Sequence, residues 1–177
     1  MTASIRNDPS PQGTEGEAFE DFYRREFKAV VALAYALSGS RMGAEDLAQE
    51  AFIAAHQKWD KVRNYEKPGA FVRRVVANMA VSAFRTKAAE AKALMRLAGQ
   101  WREGLPDLEP EDEEFWNQVR SLPAKQAQAV TLFYLDDLPV LEIADVLNCS
   151  PATAKVHLFR GRKALAAKLG VEVSDAG

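Results

Sequence analysis

The sequence predicts an all-α protein of two small helical domains joined by an acidic linker. Three observations predict it. Apolar residues recur at intervals of three and four through most of the chain, the spacing of helices that bury one face. No stretch alternates apolar and polar residues as a half-buried strand does. The tract 103–114 holds seven acids, no base and two prolines, a composition that repels itself and interrupts a helix.

Residues 1–15, rich in Ser, Pro, Gly, Asn and Thr, read as a disordered start. From Ala18 a wide apolar stripe (Phe19, Phe22, Tyr23, Phe27, Val30, Val31, Leu33) marks a first helix, with Gly39 as its stop. Ser40 to Gly43 reads as a turn. A second helix runs from about Ala44 to Trp59, with Leu47, Ala51 and Ala55 on one face and Asp46, Gln49, Glu50, Ile53 and Gln57 on another. A polar loop then ends at the breaker pair Pro68-Gly69. A third helix runs from about Ala70 beyond Lys87, with Val72, Val75, Val76, Met79 and Ala83 as its apolar stripe. Ala91 to Trp101 fits either an extension of that helix or a separate turn. The first domain is expected over 16–95, the linker over 96–114 and the second domain over 115–170. Within the second, helical patterns cover Glu114–Ser121, Ala124–Leu135 and Val140–Leu147. A last helix starts at Ser150, a good N-cap, with Pro151 at the first position, and stops at Gly170.

Composition narrows the function. No apolar run approaches the ~20 residues of a membrane span, so no membrane insertion is expected. The N-terminus carries no export signal, which points to the cytoplasm. Cys149 is the single cysteine, and His56 and His157 lack metal-ligand spacing; no metal and no cofactor are expected. No nucleophile–base pair or glycine-rich phosphate loop is present, so no catalytic residue is assigned and the chain does not read as an enzyme. The net charge of -2 conceals two basic zones: residues 60–102 hold ten bases and three acids, and residues 150–170 hold five bases and no acid. Two such zones fit two contacts with a polyanion; solvated basic faces give the same counts.

The sharpest motif is Leu138 to Leu165, two helices joined by a short turn at Asn148-Cys149-Ser150, the pattern of a helix-turn-helix. Its second helix enters the DNA major groove with N-terminal residues on base edges. Ser150, Ala152, Thr153, Lys155 and His157, with Phe159 or Arg160 one turn on, are the candidates there, and Arg160, Arg162 and Lys163 the phosphate ligands. Val156, Leu158 and Leu165 are expected to face the core, and Cys149 to pack inward. An ordinary helical hairpin with a basic surface is the alternative. On the third helix, Arg74, Asn78, Ser82 and Arg85 form one polar stripe, with Arg73 and Lys87 beside it. Arg tracks phosphates, an amide reads a base edge, and Tyr65 in the preceding loop offers a stacking ring. Taken alone, that stripe fits a solvated face better. On the second helix, Asp46, Gln49 and Glu50, edged by Ile53 and Phe52, look like a docking face for a basic partner helix.

Three segments together, Gly43–Trp59, Gly69–Lys87 and Leu122–Leu165, resemble extracytoplasmic-function sigma factors, the smallest members of the sigma-70 family. The resemblance covers roughly residues 17–168, and the wording of Ser38–Phe52 is similar to the SigE-like actinobacterial subgroup. It implies an RNA polymerase sigma factor. Asp46, Gln49, Glu50 and Phe52 match the motif that docks on the clamp helices of the polymerase largest subunit. Arg63, Asn64, Tyr65, Arg74, Asn78, Ser82 and Arg85 fall where the family melts the minus-ten element and holds non-template single-stranded DNA. The helix-turn-helix falls where the family reads the minus-thirty-five element as duplex and meets the polymerase flap region. The linker threads toward the active centre in such proteins, and an anti-sigma factor is a usual partner.

The sequence departs from the family at Ser82, where Asp is usual, at Gln126 in place of a basic residue, and at Ala154, often Val. These leave the promoter sequence unread. The alternative function is a stand-alone helix-turn-helix regulator with a phospho-acceptor α/β domain, but residues 16–95 show neither strands nor an acidic pocket.

Overall fold

The computed structural model describes residues 16–98 and 110–171, which form eight helices and no strand among the described residues. The expected disordered start and most of the expected linker lie outside them.

Four helices make an N-terminal bundle: α1 (Phe19–Ser38), α2 (Arg41–Gln57), α3 (Trp59–Val62) and α4 (Pro68–Ala98). Phe22, Val30, Leu33, Ala34 and Leu37 of α1 are at most 1% exposed. Against them α2 sets Ala44, Ala48, Ala51 and Ala55, all fully buried. Small residues at that helical spacing let α2 approach α1 and α4 closely, and all three pack on one another. Phe19, Phe22, Tyr23, Phe27, Phe52 and Trp59 close one end, with ring centroids such as Phe22–Trp59 at 4.9 Å and Tyr23–Phe52 at 4.9 Å. Each such ring removed from water contributes roughly 1.5–3 kcal/mol. From α4 come Val72, Val76, Ala77 and Ala80. Val75 and Met79 of the expected stripe are only half-buried.

The C-terminal bundle holds α5 (Pro110–Arg120), α6 (Ala124–Tyr134), α7 (Val140–Leu147) and α8 (Pro151–Leu169). Its core is Val119, Leu122, Ala129, Val130, Leu132, Ile143, Val146, Ala154, Leu158 and Leu165. Asn148 adopts the left-handed conformation (φ 54°) that ends α7, tolerable because Asn is among the few non-glycine residues that enter it. Ser150 Oγ then accepts the Thr153 N–H at 3.1 Å and Pro151 opens α8.

Several local expectations change. The stretch read as a turn, Ser40–Gly43, opens α2: Ser40 Oγ accepts the Gly43 N–H at 3.1 Å, so the helix starts at Arg41. The pair Pro68-Gly69 opens α4 instead of breaking it, since proline in the first turn has no hydrogen bond to lose. That helix continues to Ala98, which makes the first part of the ambiguous stretch an extension; the rest lies outside the described residues. Pro110 likewise begins α5 within the expected linker. Val156 does not face the core: it is 44% exposed.

Gly161 sets the seat of α8 on α6. A Cβ there would lie 2.7 Å from Val130 Cγ2 and 3.2 Å from the Gln126 carbonyl oxygen. The backbone of α6 cannot yield as a long side chain would, so Gly161→Val is expected to destabilise the protein by about 1–3 kcal/mol through overpacking. Urea unfolding followed by circular dichroism checks this; an unchanged midpoint would show that α8 moves aside freely.

Candidate nucleic-acid and polymerase interfaces

The three helices singled out in the sequence each present a polar face. On α2, Asp46, Gln49 and Glu50 are exposed and Ile53 is 56% exposed. Phe52 departs from expectation. It is 2% exposed, ringed by Phe19, Phe22, Tyr23 and Phe27. It cannot touch a docked partner and instead anchors α2 to α1.

On α4 the burial of Val72, Val76 and Ala80 turns Arg74, Asn78, Ser82 and Arg85 the other way. The structure brings these four onto one face, with Ser82, Arg85 and Asn78 exposed and Arg74 half-buried. The preceding loop contributes Tyr65, 40% exposed with its ring 6.3 Å from Phe71. Arg63 is half-buried, and Asn64 spends its amide locally, donating to the Asp60 carbonyl at 2.7 Å.

On α8, Ala152, Thr153, Lys155, Arg160 and Lys163 are exposed, and Val156 (44%) and Phe159 (57%) stand among them. At about 100° per residue, Ala152, Val156, Phe159 and Lys163 lie along one line, with Lys155 and Arg160 to either side. The opposite line, Ala154, Leu158, Gly161 and Leu165, is buried. His157 is half-buried at one margin. Arg162 lies at the other, its guanidinium 5.4 Å from the Phe133 ring centroid and 5.9 Å from that of Tyr134. This cation–π contact orients it toward α6. Ser150 serves the helix as its cap. Cys149 is half-buried and packs against the core, as expected of the turn.

Sequence reasoning missed how the two bundles meet. Arg74 donates from Nε to the Val146 carbonyl at 3.1 Å and from Nη2 to the Asp145 carbonyl at 2.6 Å. These oxygens belong to the last turn of α7, where carbonyls lack intrahelical donors and the helix dipole is negative. The reciprocal contact comes from Arg120 of α5, whose Nε donates to the Ala36 carbonyl at 2.8 Å in the last turn of α1. Arg120 is 6% exposed, and among the described residues no carboxylate is bonded to it: Nη1 meets Asn117 Oδ1, and Nη2 has no hydrogen-bond partner. Burial therefore pushes its pKa down, against the pull of Tyr35 and Glu113.

Between these ends, Arg73 Nη1 lies 2.8 Å from Glu26 and its Nε 3.1 Å from Asp136 of the other bundle. Burial disfavours the Arg73 charge, but the two carboxylates outweigh it and raise the pKa. Burial pushes the Asp136 carboxyl up, with Arg73 opposing. Gln128 Nε2 donates to Asn78 Oδ1 at 3.0 Å, and Lys67 Nζ meets Glu142 at 2.7 Å. Each bundle reads as self-sufficient in sequence, and nothing in it marked Gln128 or Arg120 as buried polar groups of a facing surface.

Residues 22–90 match Sigma-70 region 2, and residues 112–165 match Sigma-70, region 4. The ECF RNA polymerase sigma factor SigW of Bacillus subtilis is 30% identical over 169 residues, 86% of this chain and 89% of that protein. The chain belongs to the extracytoplasmic-function sigma factors. The ECF sigma factor SigE of Mycolicibacterium smegmatis is 28% identical across 84% of this chain and 60% of its own length. The fold is also that of the sigma factor RpoE of Bartonella quintana, solved in complex with the anti-sigma factor NepR: TM-score 0.66, 23% identity, covering 88% of this chain and 98% of that one. In this sigma factor the region 2 match runs from α1 into α4, and the region 4 match runs from within α5 into α8. The match of residues 22–90 to Sigma-70 region 2 does not favour the alternative of a stand-alone regulator. No helix among the described residues is long and apolar enough to cross a membrane, and no group of His, Cys, Asp and Glu among them would hold a metal.

The burial of Phe52 separates it from its neighbours on α2. Phe52→Ala should cost about 3–5 kcal/mol of stability, whereas Asp46→Ala and Glu50→Ala should each change it by less than about 0.5 kcal/mol. Thermal unfolding of the three variants checks this; equal losses would mean that Phe52 is not part of the core.

Proposed function

We propose that the three exposed faces divide the work of a sigma factor as follows. The face of Asp46, Gln49 and Glu50 docks on the clamp helices of the polymerase largest subunit, with Ile53 as its apolar edge. The face of Arg74, Asn78, Ser82 and Arg85, with Arg63 and Tyr65 beside it, takes the non-template strand of the minus-ten element. The start of α8 enters the major groove of the minus-thirty-five element, where Ala152, Thr153 and Lys155 meet base edges and Arg160 and Lys163 hold phosphates. Val156 and Phe159 join that face, where exposed apolar groups suit thymine methyls. His157 and Arg162 act at its margins. The C-terminal bundle also meets the polymerase flap, and the acidic stretch between the bundles runs toward the active centre. An anti-sigma factor, as in the Bartonella complex, is a fitting regulator. Protein and site act by binding and strand opening, without a catalytic group.

The observation that carries this reading is Asn78. It is an exposed amide between Arg74 and Arg85, on the side of α4 opposite the buried Val72, Val76 and Ala80. A side chain that reads a base changes specificity, and one that holds phosphate weakens all sequences alike. In holoenzyme reconstituted with core polymerase, Asn78→Ala should therefore cost about 1–3 kcal/mol on the preferred minus-ten strand and much less on a scrambled one. Arg74→Ala and Arg85→Ala should weaken both and lower the salt slope by about one each. Binding to labelled non-template strands at several salt concentrations measures both. Equal losses on native and scrambled strands for Asn78→Ala would withdraw base recognition from it.

A further inference from the structure

Four cations at the junction of the bundles have partners. Arg73 has Glu26 and Asp136, Lys67 has Glu142, and Arg74 and Arg120 have helix-end carbonyls. Two others do not. Arg85 of α4 and Lys125 of α6 line one cleft of about 310 Å³ between the bundles. Neither forms an ion pair among the described residues, and no acid among them lines the cleft. Glu50 lines the separate groove between α2 and α4. A cleft walled by charge of one sign concentrates the potential and draws in counter-ions.

The uncharged groups of this cleft are also mostly donors. Gln128 is 2% exposed and so held in place. Its Nε2 donates to Asn78 Oδ1 at 3.0 Å, which leaves the Asn78 NH2 as a donor toward the cleft. The exposed Ser82 hydroxyl has no hydrogen-bond partner among the described residues. Thr86 spends its proton on the Ser82 carbonyl at 3.0 Å and presents an acceptor, which suits the hydroxyl of a partly protonated phosphate. Ser82 is also where the sequence departs from the family, whose usual Asp would set a carboxylate among these donors.

We propose that this cleft binds a small diphosphate, either inorganic pyrophosphate or a nucleoside diphosphate. Its volume lies at the lower end of the ~300–1,000 Å³ range of small-molecule sites, so it suits a compact anion. One cation from each bundle matches a charge divided between two linked phosphate groups. Arg85 forks two bonds onto one of them, Lys125 neutralises the other, and Ser82 and Asn78 donate to the remaining oxygens. The site shares Asn78, Ser82 and Arg85 with the face proposed for the promoter strand. It draws on the cleft alone, and its test contains no DNA, so its failure leaves that reading untouched.

Isothermal titration calorimetry of the full-length chain at low ionic strength, without polymerase, tests it. Pyrophosphate should bind saturably with one site per chain, and orthophosphate much more weakly. Lys125→Gln should weaken pyrophosphate by about tenfold or more, the loss expected of one charge-assisted hydrogen bond. Ser82→Asp, which sets a carboxylate in the cleft, should weaken it at least as much. Circular dichroism confirms that both variants keep their helices. Lys28→Gln makes the same charge change as Lys125→Gln on the exposed surface of α1 and should leave binding unaltered. A guanosine diphosphate titration assigns the source: affinity like that of pyrophosphate points to nucleotides, and a large loss points to the inorganic anion. Absence of saturable binding, orthophosphate as tight as pyrophosphate, or equal losses in Lys125→Gln and Lys28→Gln overturns the proposal.

Discussion

A single helix with two committed faces underlies the arrangement of this protein. One face of α4 is fixed by Val72, Val76 and Ala80, which must lie against α1 and α2 to leave water. That commitment leaves the rotation of α4 no freedom, and so it fixes where Arg74, Asn78, Ser82 and Arg85 point. The first turns of α4 also offer α7 a polar wall, where Arg74 meets the Asp145 and Val146 carbonyls. The seat of Arg74 on α7 and the outward turn of Asn78, Ser82 and Arg85 follow from that rotation.

The join between the bundles is built on exchanged arginines. Each bundle sends one guanidinium to the open carbonyl end of a helix in the other: Arg74 to α7 and Arg120 to α1. The two contacts differ in kind. Arg74 is half-buried and belongs to the face proposed to take DNA, whereas Arg120 is buried and one of its nitrogens has no hydrogen-bond partner among the described residues. Burying such a charge without a bonded carboxylate is costly. Of the two, Arg120 is therefore the one that gains more from the return of water.

Much of this was legible in the sequence because helices announce themselves locally. Spacing located the long helices, and Gly39, Ser150, Pro151 and Gly170 marked ends that the structure places as read. The errors cluster at ends where one residue serves two roles. Pro68 and Pro110 stop a helix that precedes them but start one that follows, and Ser40 is a turn former as well as a cap. Among the candidate residues, Phe52 was misjudged because the aromatic cluster that claims it comes mostly from α1, more than 20 positions earlier. Val156 was misjudged by residue type: a valine is expected inside, yet its angle on α8 puts it with Ala152 and Phe159. The contacts of Arg73, Arg120 and Gln128 were not legible, since they depend on how the two bundles pack on one another.

The close seat of α8 at Gly161 has a consequence for how such a protein can acquire new targets. The line that holds α8 in place, Ala154, Leu158, Gly161 and Leu165, shares no residue with the line that faces outward. On the proposed reading of α8, substitutions at Ala152, Lys155, Val156 or Phe159 therefore retune what is read while the angle of the helix stays constant. On that same proposed reading the scaffold and the vocabulary are separable, and promoter preference is open to being rewritten one letter at a time without rebuilding the instrument that holds it.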